Sequence, residues 1–429
     1  MLTITKTYQP DTTEKLIQIR DKFMTSKNNL SARWGILTVG VLAMLFAGII
    51  YAWSILKAPL ASELGYQSPA LALNFTLTMS FFCIGGLISS FFVRKIGTKY
   101  TLMLAGAMAG IGFVLSSFLT EGNVGLLYLT YAFLSGLGIG IAYIVIISTV
   151  NAWFPDKRGT SSGALMMGFG TSSLILGNAA DALFHSPLGW RTTYIIIGAA
   201  LGAVLILTAP LIRRPDASVS LPAPKKKAAA REESFEVRDY TPLEMLRRFT
   251  FWRAFVAFVC VTAVGNSVIS FARDLALSVG AGASLATTLV GVLAVCNGIG
   301  RIVTGAVFDT MGRRFTMIAA NVLTIIAAAV TLIAVNANSL PLCIVGLCLT
   351  GMSYGSSPTN TSAFTSAFYG TKHFASNLGM MNFNLMCASF IATACSALLS
   401  STGSYTAPFT LLLVLAAAAL GLNISIKKP

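Results

Sequence analysis

The hydrophobic pattern of the chain consists of long apolar runs separated by short polar segments. Twelve runs are long enough to cross the roughly 30 Å hydrocarbon core of a bilayer as helices. We number the predicted helices α1 to α12 in chain order, and they cover residues 34–57, 71–92, 100–119, 125–150, 159–183, 190–212, 252–272, 283–308, 315–336, 340–366, 374–398 and 405–425. The pattern predicts an all-α polytopic membrane protein.

Composition and charge agree with a membrane protein and give its orientation. The chain is 55% hydrophobic and 10% charged, whereas soluble domains are about a quarter charged. The net charge of +15 does not indicate a nucleic-acid partner, because 26 of the 30 Lys and Arg fall on the side of the bundle that holds both termini. Basic residues favour the cytoplasmic side. We therefore expect a multi-pass protein of the plasma or inner membrane, with lipid as a partner and both termini in the cytoplasm.

The chain repeats itself at a fixed offset. Arg94 begins the basic loop after α2 and Asp309 begins the one after α8, and 309 − 94 = 215; Trp153 and Phe368 follow α4 and α10, and 368 − 153 is again 215. This predicts two pseudo-symmetric six-helix halves with a substrate site near the midplane between them. The expected domains are a cytoplasmic tail (1–33), a first half (34–212), a cytoplasmic linker (213–251), a second half (252–425) and a short cytoplasmic tail (426–429).

Arg301 is the one Lys or Arg that lies deep in a predicted helix. It precedes Asp309 by eight residues, so it lies roughly 12 Å inside that end of α8, at a depth where an arginine costs at least about 3 kcal/mol to insert. Gly291, Gly298 and Gly305 mark its face as the packed side of the helix. Arg301 should therefore face the bundle interior. Two interpretations are open: an arginine that snorkels or is held by backbone carbonyls, and a fixed cation that binds an anion in a central cavity.

Several segments resemble a known family. The segment Gly305-x-x-x-Asp309-x-x-Gly312-Arg313-Arg314 resembles the loop signature of the major facilitator superfamily, although the copy after α2 has Arg94 where Asp is usual. Over nearly its whole length the chain is similar to the oxalate/formate antiporter family and the related monocarboxylate transporters. The most specific pieces are Asn297-Gly-x-x-Arg301, Trp153-Phe-Pro-Asp-Lys-Arg-Gly159, Gly136-x-Gly138-x-Gly140-x-x-Tyr143, Tyr51-x-Trp53 and Gly189-Trp190-Arg191.

The resemblance implies that Arg301 binds the substrate carboxylate, as the α8 arginine does in both families. Two departures from the families concern specificity and coupling. The oxalate exchanger has a lysine on α11 where this chain has Leu385, and animal monocarboxylate transporters have an acidic residue one turn before the arginine, where this chain has Asn297. Since two carboxylates need two compensating charges in an apolar cavity, we expect small monocarboxylates such as formate, lactate or pyruvate. A dicarboxylate exchanger of the oxalate/formate type is the alternative.

Further candidate residues fall into two groups. Tyrosine and asparagine side chains can hydrogen-bond a small organic acid, and the alternative for each is helix packing; the substrate-binding candidates of this kind are Asn297, Tyr143, Tyr354, Tyr51 and Asn384. Four charged residues at helix ends are gating candidates: Asp309, Arg313 and Arg314 as a cytoplasmic latch, and Lys57 either as an outer gate or as a snorkelling surface lysine.

Three functional classes compete: a carrier, a carboxylate sensor on a transporter fold, and a membrane enzyme. The sequence shows no buried catalytic set and no metal-ligand spacing, so no enzyme, cofactor or metal is expected. The matched halves and the single buried cation favour a monomeric secondary transporter that works by alternating access. No Asp or Glu lies deep in a predicted helix, so we expect exchange against a counter-anion or facilitated diffusion, with proton symport as the alternative.

Overall fold

The computed structural model describes residues 32–216, 219, 221, 222 and 238–426, and all regular structure in these residues is helical. The expectations for the tail up to residue 31, for the basic run 225–227 of the linker and for residues 427–429 lie outside the described residues. The helices are α1 (Ala32–Ala52), a run containing α2 and α3 (Ser68–Ser116), α4 (Val124–Asn151), α5 (Arg158–Phe184, in three consecutive pieces), α6 (Gly189–Thr208), α7 (Phe249–Ser278), α8 (Ala283–Met311), α9 (Arg313–Asn336), α10 (Leu340–Tyr369), α11 (Phe374–Thr402) and α12 (Thr406–Ile424).

The predicted fold class is confirmed. Ten helical runs in the described chain are long and apolar enough to cross a membrane. The run Leu73–Ser116 is one of these ten and has 44 residues, enough for two crossings. The twelfth crossing is α5, which is rich in glycine and serine and contains a π-helical turn at Ser173–Gly177.

The backbone reproduces the sequence repeat at its sharpest bends. The α2–α3 run is broken at Gly97, where φ is 79° and ψ is 166°, and α8 gives way to α9 at Gly312, where φ is 79° and ψ is 174°. Positive φ at low cost requires glycine. Because 312 − 97 = 215, the two halves turn at matching positions.

The two halves meet along two helix pairs, α5 with α8 and α2 with α11. Glycines let the backbones approach closely: a Cβ on Gly163 of α5 would lie 2.5 Å from the carbonyl oxygen of Arg301, and a Cβ on Gly379 of α11 would lie 2.9 Å from that of Gly86. The first turns of α11 also enter the apolar core of the first half, through Phe374, Leu378 and Leu385. The α5–α8 pair therefore carries Arg301 to the boundary between the halves.

Candidate functional site

Arg301 is buried at the α5–α8 interface, with 1% of its surface exposed. Its Nε donates to Asn297 Oδ1 at 3.0 Å, one turn earlier on α8, and its Nη1 donates to the backbone carbonyl of Met166 on α5. Both acceptors are neutral, and among the described residues no carboxylate forms an ion pair with this guanidinium. The arginine thus bridges the two halves while its charge stays uncompensated there.

The guanidinium lies against a glycine of α5. A Cβ built on Gly170 would lie 2.8 Å from Cζ of Arg301 and 3.0 Å from both Nε and Nη2. On the other side of α8, Gly355 of α10 meets the Asn297 carbonyl so closely that a side chain would not fit. A side chain at position 170 would therefore displace the guanidinium.

Three tyrosines predicted from the sequence lie around this cation. Arg301 is near enough to Tyr51, Tyr143 and Tyr354 to interact electrostatically with each. Tyr51 of α1 and Tyr354 of α10 also interact with each other, so this contact links the two halves as well. The structure thus brings together five of the six substrate-binding candidates: Arg301, the three tyrosines, and Asn297, which is hydrogen-bonded to Arg301.

Asn384 lies in a different place. Its Nδ2 donates to the Met381 carbonyl at 2.7 Å, and its Oδ1 accepts from Thr262 Oγ1 at 3.4 Å. Thr262 also shares a 2.6 Å hydrogen bond with Ser357. In the part of the chain that the structure describes, Asn384 belongs to a polar cluster inside the second half and is not bonded to Arg301.

Aromatic rings that the sequence reasoning did not identify surround the tyrosines. Phe169 of α5 lies 5.3 Å from Tyr51 and 5.0 Å from Tyr143 between ring centroids, and Phe82 of α2 lies 5.1 Å from Tyr143. Such edge-to-face contacts hold the rings rigidly. Beside the cation, apolar rings therefore pack against the three tyrosines. Phe82 and Phe169 are two of 27 phenylalanines, and nothing in their sequence positions marks them.

At one end of the bundle the loops 94–99, 153–158 and 309–314 come together with the start of α11, and we call this the basic end. Asp309 accepts hydrogen bonds there from the backbone amides of Gly159 at 2.8 Å and Thr160 at 2.7 Å, and from the Thr160 hydroxyl at 2.6 Å. A carboxylate at a helix N-terminus is favoured by the helix dipole. Asp309 of the second half therefore caps α5 of the first half.

The other gating candidates have different surroundings. Arg313 stacks over the Phe368 ring of α10, with Cζ 4.0 Å from the ring centroid. Arg314 is exposed at the basic end, and Lys57 is exposed at the opposite end of the bundle. Of the predicted latch, Asp309 contacts the other half directly.

A buried hydrogen-bonded chain lies beside the Asp309 cap. Asn151 of α4 donates to Ser162 of α5 at 2.6 Å, and the Ser162 hydroxyl meets that of Ser362 on α10 at 3.0 Å. On α2, Ser90 accepts from Ser376 of α11 at 2.6 Å. These contacts join the halves at the basic end.

Comparison with known proteins agrees with the fold. The model of the Major Facilitator Superfamily matches residues 36–393. The oxalate:formate antiporter of Oxalobacter formigenes is 31% identical over 67% of this chain and 66% of its own length, and human monocarboxylate transporter 12 is 27% identical over 76% of this chain and 66% of its own. The solved structure of the proton:xylose symporter XylE covers 93% of this chain and 97% of its own, with 14% identity and a TM-score of 0.70.

The structural likeness supports the fold alone, and the sequence relatives are transporters. The predicted resemblance to the oxalate/formate antiporter family and the monocarboxylate transporters is confirmed, since the relatives include an oxalate:formate antiporter and monocarboxylate transporters. With a family match that spans most of the chain, a twelve-helix bundle and a buried cation between its halves, this integral multi-pass membrane protein belongs to the Major Facilitator Superfamily.

Proposed function

We propose that the protein is a secondary transporter of small monocarboxylates such as formate, lactate or pyruvate, and that Arg301 binds the carboxylate during alternating access. One observation carries this proposal: a guanidinium with 1% exposure between the halves has neutral hydrogen-bond partners only, Asn297 and Met166, in the described chain. Desolvating an unpaired charge is costly. A carboxylate in the site would offset that cost through a charge-assisted, bidentate pair.

The surroundings of Arg301 favour an acid with one charge and a small apolar body. The tyrosine hydroxyls of Tyr51, Tyr143 and Tyr354 offer neutral hydrogen bonds, and the rings of Phe82 and Phe169 offer apolar contact. Leu385, at the position where the oxalate exchanger has its lysine, is 6% exposed and packs in the same apolar cluster as Phe82 and Phe169. A second carboxylate would find no cation at that position.

For orientation and coupling we infer that the basic end faces the cytoplasm and that transport is anion exchange or facilitated diffusion. The orientation rests on the 26 basic residues of that side. A Lys226→Cys variant should react with an impermeant maleimide only after cells are opened, and labelling of intact cells would reverse the orientation. For coupling, uptake should need internal anion or a substrate gradient, and strong uptake driven by a pH gradient alone would favour proton symport.

Uptake into liposomes tests the function. Purified protein should take up labelled lactate or formate when the liposomes contain unlabelled acid, and unlabelled monocarboxylates should compete better than oxalate. Arg301→Ala should reduce uptake to the level of empty liposomes, and Arg301→Lys should be impaired, because an ammonium lacks the planar fork. Arg273→Ala, which removes an exposed arginine from the end opposite the basic end, should transport normally. Equal competition by oxalate would favour the dicarboxylate exchanger, and uptake by Arg301→Ala at the wild-type rate would refute the role of Arg301.

A further inference from the structure

A polar cavity lies between the halves at the basic end, away from Arg301. Its volume is about 540 Å³, which is in the range of small-molecule sites. The first half contributes the ends of α2 and α4 with Arg158 and Arg214, and the second half contributes the segment 371–376 at the start of α11. The cavity is therefore lined by both halves.

The wall of this cavity is strongly basic. It contains Arg94, Arg158, Arg214 and Lys372, together with His373, and the lining residues that the structure describes include no Asp or Glu. The nearby carboxylates are already engaged. Asp239 accepts from the amides of Thr371 and Lys372 at 2.8 and 3.0 Å and, with Asp309, attracts Arg158. Four cations therefore line this space, and the described part of its wall supplies no carboxylate.

The sequence repeat shows which anion the wall lacks. In one half Asp309 caps the N-terminus of α5 through the amides of Gly159 and Thr160. The position that matches Asp309 is 309 − 215 = 94, an arginine, and the position that matches Gly159 is 159 + 215 = 374, the first residue of α11. The N-cap residue of α11, His373, makes no side-chain capping bond. A cation thus stands where its counterpart in the other half supplies a carboxylate.

We propose that this cavity binds a phosphate-bearing anion, which takes the place of the missing carboxylate and bridges the two halves. Arginine guanidinium groups pair with phosphate oxygens in bidentate geometry, and helix N-termini bind phosphate through their free amides. Four cations suit a multivalent anion better than a monocarboxylate, which would leave most of the charge uncompensated. This site is separate from Arg301 and does not depend on the transported substrate.

Thermal unfolding of the full-length protein in phosphatidylcholine nanodiscs tests the site, with inorganic pyrophosphate as the probe. At saturation pyrophosphate should raise the unfolding midpoint by about 3–5 °C. Arg94→Asp should lose this response because the new carboxylate occupies the place of the anion. Arg214→Ala, which changes an exposed side chain, should lose most of it and serves if Arg94→Asp does not fold. Lys99→Ala, a control that removes an exposed cation of the basic end outside the cavity wall, should respond like the wild type.

A second arm of the experiment, in which phosphatidylglycerol is added to the nanodiscs, distinguishes between two sources of the phosphate group. A rise with pyrophosphate supports a soluble phosphate ligand, and a rise with phosphatidylglycerol alone supports a lipid headgroup; either rise must be lost in Arg94→Asp or Arg214→Ala and kept in Lys99→Ala. No rise in either arm, or an equal rise in all three variants, would overturn the proposal.

Discussion

The two interfaces between the halves are related by the repeat but differ in chemistry. At the α5–α8 interface Arg301 lies against Gly170, which leaves room for the guanidinium. The matching positions at the α2–α11 interface are 301 − 215 = 86 and 170 + 215 = 385, a glycine and a leucine. Gly86 packs against Gly379 of α11, and Leu385 is buried in an apolar cluster. One interface holds a cation, and its counterpart is closed by apolar packing.

The same contrast recurs at the basic end. Asp309 caps α5 across the α5–α8 interface, whereas Arg94 lines a basic cavity at the start of α11. The repeat therefore preserves backbone geometry, as at Gly97 and Gly312, while the charges differ between the two copies. In the described chain Arg301 is buried between the halves and its matching position is a glycine, and this asymmetry supports our proposal of a substrate with a single carboxylate.

Among substitutions that leave Arg301 itself in place, the largest effect should come from filling the space beside the guanidinium. In Gly170→Ala the new Cβ would lie 2.8 Å from Arg301 Cζ, so the guanidinium must move, and a misplacement of about 1 Å can cost roughly 100-fold in rate. We expect lactate uptake to fall by at least about 10-fold. Gly291→Ala on the facing helix is the control, since its Cβ would meet only Leu174, at 3.8 Å. Similar uptake by both variants would show that the position of Arg301 does not matter.

Making the two interfaces alike in charge should change the substrate preference. Leu385→Lys places a second cation in the neutral copy, so oxalate should compete with lactate about 10-fold better than in the wild type, because a desolvated unpaired charge dominates the discrimination. Leu385→Met keeps the volume and the neutrality of the site and should keep the wild-type preference. An unchanged oxalate-to-lactate ratio in Leu385→Lys would mean that position 385 does not reach the substrate.

Removing the cap of α5 should make the cavity at the basic end more accessible to reagents, and this effect should be smaller than the two above. Asp309→Asn removes the charge at the helix N-terminus, and a capping interaction is worth about 0.5–2 kcal/mol. We expect a cysteine introduced at Ser148, in the cavity at the basic end, to be alkylated about 3- to 10-fold faster, as followed by mass spectrometry of that peptide. Arg94→Gln at the matching position should not accelerate it. Equal acceleration by both variants would deny the difference between the two copies.

The smallest effect should come from the neighbouring hydroxyls of Tyr51 and Tyr354. A neutral hydrogen bond contributes about 0.5–1.5 kcal/mol, so Tyr51→Phe and Tyr354→Phe should each raise the KM for lactate by up to about 10-fold. The double variant should cost less than the product of the two, because the two hydroxyls interact with each other. Tyr131→Phe removes a buried hydroxyl that has no partner in the described structure and should leave the KM unchanged. If the KM change of the double variant equals the product of the two single changes, the two hydroxyls act independently.

Much of the fold could be predicted from the sequence because a bilayer requires long apolar helices with satisfied backbones. The twelve segments and the two matched halves follow from hydropathy and from the 215-residue offset. Some of the residues near Arg301 could be identified from the sequence, because a tyrosine or asparagine in an apolar run usually either binds a ligand or hydrogen-bonds another helix. Asn384 shows the limit: its helix was identified, but the rotation of that helix, which directs it to Thr262, is set by packing.

The partners that α5 provides could not be predicted. Met166 offers Arg301 a backbone carbonyl, which every residue has, and Gly170 offers the lack of a side chain. Neither property distinguishes one residue of a glycine-rich helix from its neighbours. The Asp309 cap was expected as a latch, but its partners are the backbone amides of α5, and sequence carries no signal for them. What sequence reasoning missed is therefore mainly backbone chemistry.

Isothermal titration of the purified protein with lactate tests the central claim, that Arg301 binds the carboxylate, without relying on transport. The wild type should bind lactate, Arg301→Lys should bind it more weakly, and Arg301→Ala should show no measurable heat while unfolding at a midpoint close to that of the wild type. Removing one partner of a buried charge pair costs about 3–5 kcal/mol, which weakens binding by at least about 100-fold. Lactate binding to folded Arg301→Ala with the wild-type Kd would contradict the account.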